Sequence, residues 1–158
     1  MFAQVNDEDY EWLNRYRWRL SRKQHTNYAI TTIEGKVVKM HRLILGLTDP
    51  KILGEHADHD GLNCQRYNLR PCTHTQNMMN KTSQKGSTSK YLGVNLSRVE
   101  DKNRGYINKY WRADIRVEGK IKFLGYFPPT AEGEKCAALA RNEAAIKYHG
   151  EFANLNIV

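Results

Sequence analysis

Long apolar runs are missing from this sequence: no stretch approaches the ~20 residues needed to cross a bilayer, so no membrane-spanning helix is expected. The opening residues, Met1 to Trp12, lack a basic segment followed by an apolar one. Nothing there marks the chain for secretion, and a soluble, cytoplasmic protein is the expectation. Cysteines number only three, Cys64, Cys72 and Cys136, and none forms a C-x-x-C pair. A disulfide framework or a four-thiolate zinc site is therefore not expected. Cys64 and Cys72 with His56, His59 or His74 remain as a structural zinc alternative, but no pair has finger-like spacing. Small buried thiols in a reducing cell are the simpler reading.

What is present is apolar enough to fold: 40% of the 158 residues are hydrophobic and 27% charged, as in one ordinary domain or two small ones. Lysine and arginine number 25 against 17 aspartates and glutamates, giving a formal charge of +8. Such an excess favours a polyanionic partner through counterion release.

Three segments differ in character. Residues 1–54 open with Asp7-Glu8-Asp9, which suits a helix N-terminus. Tyr10, Trp12, Leu13, Tyr16 and Trp18 then interleave with Arg15, Arg17 and Arg19. Tyr28 to Ile33 and Lys36 to Met40 read as a hairpin around Glu34-Gly35. His41 to Leu47 reads as a short helix ended by Gly46. Residues 55–81 hold a polar cluster: a strand bearing Asp58 and His59, an Asp60-Gly61 turn, a strand through Asn68-Leu69-Arg70, and a helix from Thr73 to Lys81. Met78 and Met79 are expected to face inward on that helix. Residues 82–90 are small, polar and basic, and read as a linker.

The cluster's chemistry is that of phosphodiester hydrolysis, which needs a base for the attacking water and a cation near the leaving oxygen. A neutral imidazole at His59 suits the first task. The carboxylate of Asp58 and the amide oxygen of Asn77 suit one Mg²⁺ or Mn²⁺, with water and phosphate completing its shell. Asn68 is positioned by sequence to hold the His59 ring and fix its tautomer. His56 and His74 read as surface or structural histidines and His41 as a packing residue. Arg70 and Lys81 either contact phosphate or are simply solvated.

The string Asp58-His59-Asp60-Gly61-Leu62-Asn63, then Asn68-Leu69-Arg70, then Gln76-Asn77-Met78-Met79-Asn80, resembles the HNH homing endonucleases of phages and introns. Met40-His41-Arg42-Leu43-Ile44 and the aromatic start at Asp7 to Trp18 resemble their upstream elements. The resemblance implies a ββα-metal fold over about residues 55–81, with His59 and Asn68 catalytic and Asp58 and Asn77 binding the metal. Cys64 departs from it, since many relatives carry a second asparagine there.

Residues 91–158 read as three strands (91–95, 110–117 and 120–127) and a helix from Thr130 to about His149. Its Ala137, Ala140, Ala144, Ala145 and Tyr148 share one face. Tyr91-Leu92-Gly93-Val94, Trp111 to Arg116, Phe123 to Phe127 and Ala137 to Asn156 together resemble the Apetala-two/ethylene-response-factor DNA-binding domain. That resemblance implies a three-stranded sheet laid in the major groove of double-stranded DNA with the helix behind it. Arg112, Asp114 and Arg116 alternate with apolar residues on the middle strand, as a DNA-facing surface would require. With Arg70, Asn95, Arg98, Lys122 and Tyr126 they make the expected DNA-binding set. Leu92 and Asn95 stand where plant members carry arginines. The stretch from Ser97 to Tyr110 reads as a long loop carrying Arg98, Lys102, Arg104 and Lys109.

The expectation is thus an α+β protein: an HNH nuclease domain (1–81), a linker (82–90) and a sheet DNA-binding domain (91–158). It would act as a site-directed, metal-dependent DNA endonuclease, with a monomer as the favoured state and nicking as its natural outcome. The rival readings are a non-catalytic DNA-binding regulator on an inert HNH scaffold, a zinc-binding module and an RNA-directed nuclease.

Overall fold

A computed structural model describes residues 1–23, 26–82, 86–101 and 105–158. The chain is an α+β protein with antiparallel sheets, divided into two compact units, Met1–Asn77 and Met78–Val158. Among the described residues no helix is long and apolar enough to cross a membrane.

The first unit begins with α1 (Asp7–Leu13), whose acidic first turn complements the helix dipole. Asp9 of that turn is fully buried. It accepts hydrogen bonds from Trp12 Nε1 at 3.0 Å and from both Nε and Nη2 of Arg66, at 2.8 and 2.6 Å. A sheet of β1 (Arg19–Arg22), β2 (Asn27–Ile33) and β3 (Lys36–Lys39) follows. Its second turn is the one expected from sequence: Glu34 and Gly35 both have positive φ, 49° and 75°, the pairing that matches strand twist.

Helix α2 (Met40–Ile44) is shorter than expected, with Leu45 as a still right-handed C-cap before Gly46. Gly46 at φ 62° lets Leu47 N bond back to Arg42 O at 2.9 Å, a left-handed helix terminator. β4 (Leu53–His56) then pairs with β5 (Leu69–Cys72), matching Glu55 to Arg70 and His56 to Leu69. The unit's core is Leu13, Ala29, Met40, Ile44, Leu62, Cys64 and Leu69.

Helix α3 (His74–Met79) opens on a capping box: Gln76 N donates to Thr73 Oγ1 at 3.2 Å, and Thr73 N donates to Gln76 Oε1 at 2.8 Å. It stops two residues short of the expected end and buries none of its residues. Met78 is exposed and Met79 half-buried, contrary to the expectation that both face inward. A helix of fewer than two turns is too short to carry an apolar stripe.

The second unit is the sheet β6 (Val94–Asp101), β7 (Tyr106–Val117) and β8 (Lys120–Phe127), with α4 (Ala131–His149) packed on one face. The first strand begins later than expected because Gly93, at φ 74°, turns the chain. A Cβ there would sit 2.5 Å from Asp114 O. The expected loop between Ser97 and Tyr110 is largely strand, since β6 and β7 stay paired from Val94↔Ala113 to Asp101↔Tyr106. Lys102 and Arg104 lie outside the described residues.

The N-cap of α4 is Thr130, whose Oγ1 accepts from Gly133 N at 3.1 Å. Ala137, Ala138, Ala144 and Ala145 are buried against the sheet, while Ala140 and Tyr148 are half-buried. Within the expected linker, Ser83 to Lys85 lie outside the described residues, but Ser89 is buried and donates to Glu134 at 2.6 Å.

The segment after α4 is tied back by amides. Asn156 accepts from Leu92 N at 2.7 Å and donates to Leu92 O at 3.1 Å, while Asn142 and the Asn156 backbone exchange two further bonds. Asn156→Ala leaves both Leu92 groups without these partners. We expect it to lower the unfolding free energy of the second unit by about 2 kcal/mol, read by urea denaturation.

Candidate functional site

The segment between β4 and β5, residues 57–68, is shaped by side-chain amides. Asn68 is 3% exposed. Its Oδ1 accepts from Asp58 N at 3.0 Å, and its Nδ2 donates to Asp58 Oδ1 at 2.9 Å and to Asn63 O at 2.8 Å. Asn63 Nδ2 donates to the other carboxylate oxygen of Asp58 at 2.7 Å, and Asp60 N donates to Oδ1 at 2.9 Å. Partial burial raises the Asp58 carboxyl, but the hydrogen bonds from Asn63, Asn68 and Asp60 outweigh it and hold the group below its ordinary value. Asp58 is an ionised, solvent-accessible carboxylate at neutral pH.

Asn68 was expected to orient the His59 ring. Its bonds run instead to Asp58 and Asn63, because Asn68 sits at the foot of the loop opposite Asp58, where it closes the backbone. His59 is exposed and has φ 66°, a left-handed conformation uncommon for a residue with a side chain. The left-handed residue of this turn is thus His59 rather than Gly61. Gly61 serves another need: a Cβ there would lie 2.2 Å from Asn27 O, so only glycine lets the loop approach β2. Asn77 stands half-buried, one turn into α3.

Two residues at the end of β4 were not singled out as functional. Glu55 is 3% exposed and forms an ion pair with Arg70 across the β4–β5 register, its Oε1 accepting from Arg70 Nε at 2.6 Å. Its second oxygen has no hydrogen-bond partner in the described structure. Arg70 is thus ion-paired with Glu55 and half-buried on β5. His56 is buried, its ring edge-on to His41 at 4.7 Å and its Nε2 3.8 Å from Cys64 Sγ. Burial lowers its pKa to about 4 despite the carboxylates of Asp58 and Asp60, so the imidazole is neutral at physiological pH. Glu55 and His56 are adjacent and both buried, so alternation along β4 does not mark them as a pair.

Buried Cys64 and Cys72 have their thiols pushed up to about 12 and about 11, first by desolvation, so both stay protonated. Cys136 is exposed, unlike the buried thiol expected. Among the described residues no group of three or more His, Cys, Asp or Glu side chains is arranged to hold a metal ion. A hard cation bound through one carboxylate, one amide oxygen, waters and phosphate does not require such a group. An ionised, exposed Asp58 fits that need.

On the second unit, register sorts the expected DNA-binding residues by face. Asn95 and Tyr126 flank Arg112 on the two neighbouring strands, so all three share a face with Asp114 and Arg116. That face is opposite to the one carrying Val94, Ala113 and Ile115 against α4. Lys122 does not join them. It pairs with Ile115 on the helix side, its Nζ 4.7 Å from the Tyr148 ring centroid. Arg98 pairs with Lys109 and has the parity of Val94 and Leu96, again the helix-side face. Lys122 departs from expectation because a register shift between Ala113 and Asp114 reverses the alternation along β8, and Arg98 because its parity is opposite to that of Asn95.

The outer-face cations are partly engaged. Arg112 Nε lies 2.8 Å from Asp114 Oδ2, and Arg116 Nη1 donates to Gly119 O at 2.9 Å. A register shift between Ala113 and Asp114 brings Phe123 and Tyr126 together on this face, with ring centroids 4.9 Å apart. Phe123 lies outside the expected DNA-binding set, because simple alternation along β8 would set it opposite to Tyr126.

Compared with protein-family models, curated proteins and solved structures, the chain matches none.

The paired histidines beneath the loop give the first unit a pH dependence. Burial lowers the His41 pKa from 6.5 to about 3, with His56, Lys39 and Arg42 adding to the shift. A histidine kept neutral in the fold contributes stability above its unfolded pKa and loses it as pH falls. Between pH 7.5 and pH 5 His41 alone should cost about 2 kcal/mol of unfolding free energy. Urea denaturation at the two pH values measures this, and His41→Phe should flatten the dependence if it folds.

Proposed function

We propose that the chain is a site-directed DNA endonuclease of the HNH type, resembling homing endonucleases, in which a β-hairpin and helix carry the chemistry and a sheet domain grips double-stranded DNA. The observation that carries the reading is the Asp58–Asn63–Asn68 network. It holds an ionised carboxylate open to solvent beside an exposed histidine, with Asn77 on the helix that follows.

His59 takes the proton of the attacking water, whose oxygen bonds to phosphorus as the phosphorus–oxygen bond to the leaving strand breaks. Asp58 and Asn77 would hold one Mg²⁺ or Mn²⁺, which when bound offsets negative charge on the scissile phosphate and leaving oxygen. Asn68 acts on this site through Asp58, keeping the carboxylate ionised and the loop closed.

A second histidine stands near. His56 ends β4 within the field of Asp58 and Asp60, with the half-satisfied Glu55 carboxylate next to it in the chain, although burial and a lowered pKa make it the weaker base. Cleavage of plasmid and of DNA from the native genomic neighbourhood, with Mg²⁺, separates the two. If His59 is the base, His59→Ala should reduce cutting about a hundredfold or more while DNA affinity stays within twofold. If His56→Ala, folded by circular dichroism, shows that loss and His59→Ala does not, the base is His56. Should wild type neither cut nor nick any of these DNAs, the enzyme reading is withdrawn in favour of a non-catalytic DNA-binding regulator.

For the sheet domain, Arg116→Ala should weaken duplex binding about tenfold and leave the cleavage rate at saturating protein unchanged. Unaltered affinity would remove Arg116 from the DNA surface.

A further inference from the structure

The outer face of the β6–β7–β8 sheet carries more exposed ring surface than its cations explain. Phe123 and Tyr126 are each 48% exposed. Tyr110 packs beside Tyr126 at 5.6 Å, and Arg112 Cζ lies 5.4 Å from the Phe123 centroid. Ile121, opposite Arg116, extends the same surface at 61% exposure. Within this unit α4 covers only the other face.

Reading paired bases from a groove requires hydrogen-bonding groups aimed at base edges, because the faces of paired bases are stacked on one another. Here one arginine is paired with Asp114 and the other is tied to the Gly119 carbonyl. Besides the exposed Asn95 amide, what the face offers is aromatic. Ring faces find partners where bases are unstacked, and each such contact tolerates any base. Charge favours a nucleic acid over an apolar protein partner: residues 78–158 contain 14 lysines and arginines against 8 aspartates and glutamates.

We propose that this face binds unpaired DNA bases by stacking them on Phe123 and Tyr126, with Tyr110 supporting Tyr126 and Arg112 held in place by Asp114. The inference rests on the reading of the sheet as a DNA surface and adds a single-stranded stretch to what it grips. The register shift at Ala113/Asp114 is the device that makes the platform, since it sets both rings on one face.

The test is fluorescence anisotropy of the full chain with EDTA present, using three probes of equal length: oligothymidylate, an abasic deoxyribose-phosphate strand and a duplex. Oligothymidylate should bind at least tenfold more tightly than the abasic strand, which has the same charge but no bases. Phe123→Leu/Tyr126→Leu keeps the apolar area without the ring faces. It should bring the preference for bases to within twofold, with the circular dichroism spectrum unchanged. Equal wild-type binding to the two single strands would overturn the proposal. So would a full preference retained in the leucine variant, or in Phe123→Ala/Tyr126→Ala should the leucine pair fail to fold. The duplex probe answers separately: a protein that holds duplex but ignores bases loses only the stacking platform. One that holds oligothymidylate but no duplex keeps the platform and loses the duplex reading.

Discussion

One buried amide determines the shape of the candidate site. Asn68 reaches from the foot of β5 across to the Asp58 backbone, the Asp58 carboxylate and the Asn63 carbonyl. Its bond to Asn63 O is buried and its two bonds to Asp58 are partly so, and an unpaired partner shielded from water is costly. This fixes the position of Asp58 and, with Asn63, keeps it charged. It also sets the path of the chain through His59, which accepts a left-handed backbone because both flanks of the loop are held. Replacing Asn68 by aspartate would put a second negative charge against Asp58 and remove the donor that closes the loop. The amide is thus required for its two kinds of hydrogen bond at once.

The loop is held from outside as well. Gln4 exchanges backbone bonds with Leu62 and Cys64 at 2.8 Å each, and Arg66 is locked by the fully buried Asp9. The acidic start that reads from sequence as a helix N-terminus is therefore also half of an ion pair with the loop, 57 residues away. Gly61 completes the seating by admitting the β2 backbone at a distance no side chain would allow. Stability of the site is consequently spread over the whole first unit, and loss of packing near α1 would reach Asp58 without touching it.

Local rules made much of this legible. The Glu34-Gly35 turn, the Gly46 terminator, the Thr130 start of α4 and the alanine face of that helix all follow from backbone conformation or spacing, and the structure has each of them. What was not legible depends on partners distant in sequence. Nothing in the order of residues says that Asn68 bonds Asp58 rather than His59, or that Arg70 is taken by Glu55. The strands of the second unit run further than expected because charged residues in 97–110 resemble a loop by composition, whereas pairing between β6 and β7 continues regardless. Lys122 was mistaken in direction and Phe123 left outside the DNA-binding set for a single reason: the register shift in β7–β8 breaks the alternation on which such readings depend.

Charge is divided unequally between the units, and this bears on how they would cooperate. Of the formal +8, residues 78–158 contribute 14 positive and 8 negative side chains, leaving residues 1–77 with 11 and 9. A nearly neutral first unit would gain little from counterion release and would bind DNA weakly alone. Joined to a basic second unit, it would act at the effective concentration set by the connection, so its own affinity need not be high. A weak cutter held by a stronger grip is selective only as far as the grip is selective. Arg116 and its neighbours on the outer face, more than Asp58 and His59, would then decide which DNA is cut, while the stacking rings, which tolerate any base, would add affinity.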